Sequence, residues 1–94
     1  MSRIDKKFKD LGYDISINRT GCFKCKKLYR DNHNQEAYKV LEINILDHNE
    51  EFIKCYSQKK NQDPTPIAID SVEMKLLYKK LKEIKKCINI NRSI

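Results

Sequence analysis

The feature that most constrains the fold is a long amphipathic segment near the end of the chain. Asp70 is followed three residues later by Glu73, a capping box that marks a helix start. Apolar residues then recur at helical spacing, forming a stripe of Met74, Leu77, Tyr78, Leu81, Ile84 and Ile88. Such a stripe must be buried, so the preceding residues have to provide the surface that it covers.

Those preceding residues alternate in the manner of β-strands. We predict strands over 14–18, 22–30, 38–46 and 51–57, with a short edge strand at 67–69. The third predicted strand is the most regular, because apolar residues alternate in it with polar ones. Alternation in the second is imperfect, and a β-bulge there would reconcile it.

A first helix is predicted over 3–11. Ser2 followed by Asp5 signals its start, and Gly12 suits a left-handed C-terminal cap. The chain of 94 residues has room for one core. We therefore predict a single α+β domain over 1–94, an antiparallel meander of three to five strands packed against a short N-terminal helix and a long C-terminal helix. We expect residues 89–94 to fray and one sheet face to stay uncovered.

The net charge of +7 is distributed unevenly. Residues 1–30 carry nine basic and three acidic side chains, residues 31–53 carry one and six, and residues 54–94 carry ten and four. An acidic middle is thus flanked by two basic ends, a distribution that favours a partner of mixed charge or a nucleoprotein as much as bare nucleic acid. No run approaches the roughly 20 apolar residues of a membrane span, and the first residues show no signal peptide, so we expect a cytoplasmic location in a host cell.

Cysteines raise two alternatives to a binding protein. Cys22 and Cys25 have the spacing of a zinc knuckle, and with Cys55 and His48 or His33 they would complete four ligands. In a strand, however, side chains three apart point to opposite faces, which favours structural cysteines. A catalytic cysteine–histidine couple needs a base within hydrogen-bond reach, which spacing does not provide. The sequence also has no glycine-rich phosphate loop, so we predict a protein without enzymatic activity and without a cofactor.

Basic residues are the stronger indication of function. Three of them project from one face of the second strand, namely Lys24, Lys26 and Arg30, and Phe23 and Tyr29 lie on the neighbouring pleat. A mixture of this kind can hold phosphates and stack bases. The last helix adds a row of Lys75, Lys79, Lys82 and Lys86. An acidic hairpin carries Glu42, Asp47, Glu50 and Glu51, which would meet a basic channel.

The order of landmarks resembles a family of small uncharacterised phage and prophage proteins of low-GC bacteria. The resemblance rests on the run from Phe8 to Tyr13, on the tyrosine-rich meander and on the closing helix from Glu73 to Ile84, and it covers 8–84 in outline. Members typically end a first helix in Phe-x-x-Leu-Gly-Tyr. The chain departs from them in lacking a terminal Gly-Trp and in its lysine-rich, cysteine-bearing second strand.

The resemblance implies an accessory role in a mobile element. Its leading form is an anti-CRISPR-like inhibitor that occupies a charged surface of a host defence nucleoprotein, such as a CRISPR effector complex. The first alternative is a basic regulatory protein that binds RNA or DNA directly. The second is a zinc-stabilised interaction module.

Overall fold

In a computed structural model of the chain, residues 2–46 and 50–92 are described, 87–92 by their backbone alone. The elements are, in chain order, α1 (Arg3–Asp10), β1 (Asp14–Arg19), β2 (Cys22–Arg30), β3 (Glu36–Ile45), β4 (Glu51–Gln58), β5 (Thr65–Pro66) and α2 (Ser71–Arg92). Within the described residues the strands form one antiparallel sheet in the order β1-β2-β3-β4-β5. The predicted α+β fold, a meander between a short and a long helix, is confirmed.

Both helices begin where their capping residues predict. The backbone N–H of Asp5 donates to the Ser2 hydroxyl over 3.1 Å. At the start of α2 the exchange is reciprocal, because the N–H of Glu73 donates to the Asp70 carboxylate over 2.7 Å and the N–H of Asp70 donates to the Glu73 carboxylate over 3.2 Å. Gly12 follows α1 with a φ of +95°, the left-handed conformation in which glycine is not strained.

The two helices cover one face of the sheet. The N-terminal end of α1 lies beside the middle of α2, where Ser2 contacts Glu83, and the C-terminal end of α1 reaches the first turns of α2 at Val72, so the helices run antiparallel. Between helices and sheet lies one apolar core, made of Phe8, Tyr13, Phe23, Cys25, Leu41, Ile43, Leu76, Leu77, Leu81 and Ile84.

Two ionic networks are buried in the same layer, and the sequence did not predict them. Lys80 is 4% exposed and its ammonium group lies 2.7 Å from the carboxylate of Asp5 and 2.9 Å from that of Glu83. Burial alone would raise the pKa of Asp5, but its hydrogen bonds to Lys80 and Asn18 outweigh that effect and hold the pKa below the ordinary value of 3.8.

The second network joins the sheet to the start of α2. The ammonium group of Lys39 on β3 lies 2.5 Å from the buried carboxylate of Glu73, which also accepts a hydrogen bond from the Tyr13 hydroxyl. Burial and the neighbouring Glu73 carboxylate both raise the pKa of Tyr13. Glu73 thus caps the helix and fixes it to the sheet.

Several local predictions were wrong. The register of β2 with β3 is regular from Cys22 to Arg30, and the irregularity lies in β1 between Ile15 and Ile17. No bulge is needed in β2 because Leu28 is tolerated at 54% exposure on the uncovered face. The edge strand forms at Thr65–Pro66 and not at 67–69. The backbone of α2 is described to Arg92, and fraying of residues 89–94 stays a prediction.

The buried stripe of α2 is also rotated relative to the prediction. Tyr78 is 53% exposed, whereas Leu76 and Lys80 are buried. Lys80 is buried because its ammonium group pairs with the carboxylate of Asp5. Hydropathy alone does not reveal this pairing.

Candidate nucleic-acid interface

The face of the sheet turned away from the helices has alternate residues of β2, β3 and β4 at its centre, with Asp14, Ile17 and Arg19 of β1 along one edge and Pro66 of β5 along the other. Successive side chains of a strand point to opposite faces, and the core residues occupy the other set of positions. We call the part of this face that belongs to β2, β3 and β4 the open face, and its residues are Cys22, Lys24, Lys26, Leu28, Arg30, Glu36, Tyr38, Val40, Glu42, Asn44, Phe52, Lys54, Tyr56 and Gln58. Four of the fourteen are basic and two are acidic.

Three lysines of the open face are free of salt bridges to the part of the chain that the structure describes. Within the described residues, Lys24, Lys26 and Lys54 take part in no salt bridge. Arg30 differs, because its guanidinium lies 3.4 Å from Glu36 in an exposed pair whose contribution is small. The three lysines are therefore available to an anionic ligand.

Aromatic side chains lie among these lysines. Tyr38 is 40% exposed and Phe52 45% exposed, and the ammonium group of Lys26 lies 4.8 Å from the centre of the Tyr38 ring. Tyr56 is half-buried between Tyr38 and Phe52, and it donates its hydroxyl hydrogen to Glu42 over 3.1 Å. Because Phe52 pairs with Asn44, it is offset from Tyr38 by six residues along β3, or about 20 Å. The aromatic side chains thus form a diagonal row across the open face.

The aromatic residues exposed on the open face differ from those that the sequence predicted to stack bases. Phe23 is fully buried, with its ring centre 5.2 Å from that of Phe8. The Tyr29 hydroxyl shares a hydrogen bond of 2.5 Å with Ser57 on the helix-covered side. Both side chains lie on the helix-covered face of the sheet, so the predicted stacking of bases on Phe23 and Tyr29 is wrong. The predicted lysines of β2 do lie together on the open face.

The predicted acidic hairpin does not form one surface within the described residues. Glu42 lies on the open face, in register between Lys24 and Lys54, and it accepts hydrogen bonds from Tyr56 and Asn44. Glu51 lies on the opposite face and forms a salt bridge with Lys85 of α2. Glu50 is exposed, and Asp47 lies outside the described residues.

The lysine row of α2 is on the other side of the molecule. Its four members, Lys75, Lys79, Lys82 and Lys86, are all exposed. Because α2 covers the opposite face of the sheet, this row and the lysines of the open face cannot contact the same short ligand. The protein therefore has two separate basic surfaces.

The hypothesised zinc ligands do not converge. Cys22 is on the open face and Cys25 is in the core, and Leu41 lies between Cys25 and Cys55 in register. His48 lies outside the described residues, and His33 is exposed in a turn whose backbone is held by Asp31. No cluster of three or more metal-binding side chains occurs in the described part of the chain.

Burial also makes Cys25 a poor nucleophile or metal ligand. It is fully buried, and burial together with the nearby Glu73 carboxylate raises the pKa of its thiol to about 12. Since the thiolate is the reactive form, we expect iodoacetamide at pH 8 to alkylate Cys22 at least tenfold faster than Cys25. Peptide mapping by mass spectrometry measures both rates, with the urea-unfolded protein as the control in which they converge. Equal rates in the folded protein would contradict the described core.

No protein-family model, curated protein or solved structure matches this chain. Among the described residues, no helix combines the length and the apolar character needed to cross a bilayer. What the chain does must therefore be inferred from its own surfaces.

Sequence reasoning missed Tyr38, Phe52, Tyr56 and Lys54 as candidate site residues. A signal existed for part of this set, because alternation in β3 places Tyr38 and Glu42 opposite the apolar face. The missing information was the register: only the pairing of Lys24 with Glu42 and of Glu42 with Lys54 shows that three strands contribute to one surface.

Proposed function

We propose that the protein is a non-catalytic binding protein whose open face contacts single-stranded nucleic acid. The observation that carries this proposal is the coincidence, on one uncovered face, of three lysines that form no salt bridge with any described residue and the exposed rings of Tyr38 and Phe52. Lysines neutralise phosphates, and aromatic rings stack on bases of any sequence.

The aromatic row favours single strands over duplexes. Bases of a duplex are stacked on each other, whereas bases of a single strand can be splayed onto a sheet and stack on its aromatic side chains. Tyr38 and Phe52 lie about 20 Å apart along the strand direction, which accommodates a short run of nucleotides. Leu28, 54% exposed beside Tyr38 in the register, adds apolar surface at one end of the row.

Salt dependence tests this proposal directly. We expect the affinity for a labelled single-stranded oligonucleotide, measured by fluorescence anisotropy, to fall with salt with a log–log slope of about −2 to −3, as four basic groups each contribute about 0.7. Tyr38→Ala and Phe52→Ala should each weaken binding by about 1 to 3 kcal/mol with the slope unchanged. RNA and DNA oligonucleotides are compared in parallel. A duplex that binds as tightly as the single strand, with no effect of either aromatic variant, would refute the proposal.

A second candidate function is inhibition of a host defence nucleoprotein, which the resemblance to small phage and prophage proteins implies. The observation that favours it is the position of two basic surfaces on opposite sides of one small domain, since a nucleoprotein offers nucleic acid and protein together. Pull-down from a host lysate separates the two candidates. An inhibitor that binds protein stays with its target after nuclease treatment, whereas a partner held only through RNA or DNA is released.

A further inference from the structure

A second surface of the protein is a groove between α1 and α2. It has a volume of about 370 Å³ and is lined by Lys7, Asp10 and Leu11 of α1 with its cap, and by Val72, Lys75, Leu76 and Lys79 of α2. Its floor is aliphatic and partly open to solvent, because Leu11 is 37% exposed and Val72 is 54% exposed. The groove lies on the side of the molecule opposite to the open face.

The rim of the groove is strongly basic. Lys7, Lys75 and Lys79 surround the aliphatic floor against the single carboxylate of Asp10. Within the described residues none of the three lysines forms a salt bridge. A ligand that fits must therefore combine apolar side chains with negative charges on both sides of them.

An acidic amphipathic helix has this combination. Its apolar residues at i, i+3, i+4 and i+7 form a stripe that lies in a groove, and its flanking carboxylates meet the rim. Single-stranded nucleic acid suits the groove less well, because none of the described residues that line it is aromatic and could stack on a base. The length of α1, eight residues or about 12 Å, matches a little over two turns of such a partner helix.

We propose that the α1–α2 groove binds an acidic amphipathic helix of a partner protein. Leu11, Val72 and Leu76 receive its apolar side chains, and Lys7, Lys75 and Lys79 pair with its carboxylates. The proposal is independent of nucleic-acid binding, because it uses none of the residues of the open face.

A synthetic peptide serves as the probe. It is a labelled helix of about 14 residues with leucine at i, i+3, i+4 and i+7 and glutamate on either side, and its binding is measured by fluorescence anisotropy. Lys75→Glu combined with Lys79→Glu should weaken binding at least tenfold. The matched control, Lys82→Glu with Lys86→Glu, makes the same charge change on the same helix outside the groove and should alter affinity by less than about threefold.

A variant of the groove floor tests the apolar contribution. Val72→Ser should weaken peptide binding about fivefold without changing its salt dependence, because burial of apolar surface is lost and no charge is altered. A peptide of the same composition whose leucines are scattered around the helix should bind at least tenfold more weakly. Circular dichroism checks that each variant remains folded.

Four outcomes would overturn the proposal. One is equal weakening by the two lysine pairs, which would mean diffuse charge attraction. The second is that the peptide with scattered leucines binds as tightly as the amphipathic peptide. The third is that anionic phospholipid vesicles bind at the groove and the peptide does not. The last is loss of peptide binding in Lys26→Glu with Lys54→Glu, which would move the site to the open face. That double variant also separates this proposal from the proposed function, since it should weaken only oligonucleotide binding.

Discussion

A protein that carries both Lys26→Glu and Lys54→Glu is expected to bind a single-stranded oligonucleotide at least 50-fold more weakly than the wild type at 50 mM salt. Each lost phosphate contact removes a counterion-release contribution of about 1.2 kcal/mol at that salt concentration, or roughly a factor of eight. Two contacts therefore account for a factor of about 60, and the new carboxylates add repulsion. Fluorescence anisotropy over a salt series measures the loss of affinity and a log–log slope that is shallower by about 1.4.

The control for this variant is Lys82→Glu with Lys86→Glu on α2. Both double variants lower the net charge by the same amount, but the α2 residues lie on the opposite side of the sheet. We expect the control to weaken oligonucleotide binding by less than about fivefold. If both variants lose affinity equally, the ligand is attracted by the overall charge of the protein and the open face is not a site.

Removal of one buried lysine is expected to destabilise the protein strongly. Lys80→Ala leaves the carboxylate of Asp5, which is 2% exposed, without its cationic partner, and breaking such a buried pair costs about 3 to 5 kcal/mol. Urea unfolding followed by circular dichroism measures the change in the free energy of unfolding. Lys79→Ala, an exposed neighbour on the same helix, should change it by less than about 0.5 kcal/mol. A cost below 1 kcal/mol for Lys80→Ala would contradict the buried network.

The same network predicts a dependence of stability on pH. In the folded protein the pKa of Asp5 is below its ordinary value of 3.8, so the ionised carboxylate stabilises the fold above pH 3.8 and this contribution is lost as the pH falls through the lowered pKa. Asp5→Asn combined with Lys80→Met removes both charges together. The double variant should lose less stability between pH 5 and pH 2 than the wild type, which urea unfolding at each pH measures. An identical acid dependence would place the stabilising carboxylate elsewhere.

The fold could be predicted from the sequence because its signals are local. Capping residues such as Asp70 and Glu73 determine where α2 begins, and alternation in β3 determines which of its residues face the core. What local signals do not contain is the tertiary partner of a polar residue. Lys80 reads as a surface lysine, yet it is buried because Asp5, 75 positions earlier, lies beneath it.

The candidate site was only partly predictable for a similar reason. The alternation of β2 shows that Lys24 and Lys26 share a face, but the aromatic residues beside them come from β3 and β4. Their positions depend on strand register, which the turns and the packing of the core determine together. The acidic hairpin was mispredicted for the same reason. Glu42 and Glu51 are near in sequence and were predicted to share one surface, but the register shows that they point to opposite faces of the sheet.

Photo-crosslinking tests most directly whether the open face is where nucleic acid lies. A single-stranded oligonucleotide with photoreactive bases is irradiated in complex with the protein, and the attached residues are identified by mass spectrometry. Attachment to Tyr38, Phe52 or Tyr56 is the predicted result, and unlabelled oligonucleotide should compete with it. Attachment confined to the outer surface of α2, or failure to attach under conditions where anisotropy shows binding, would contradict the assignment.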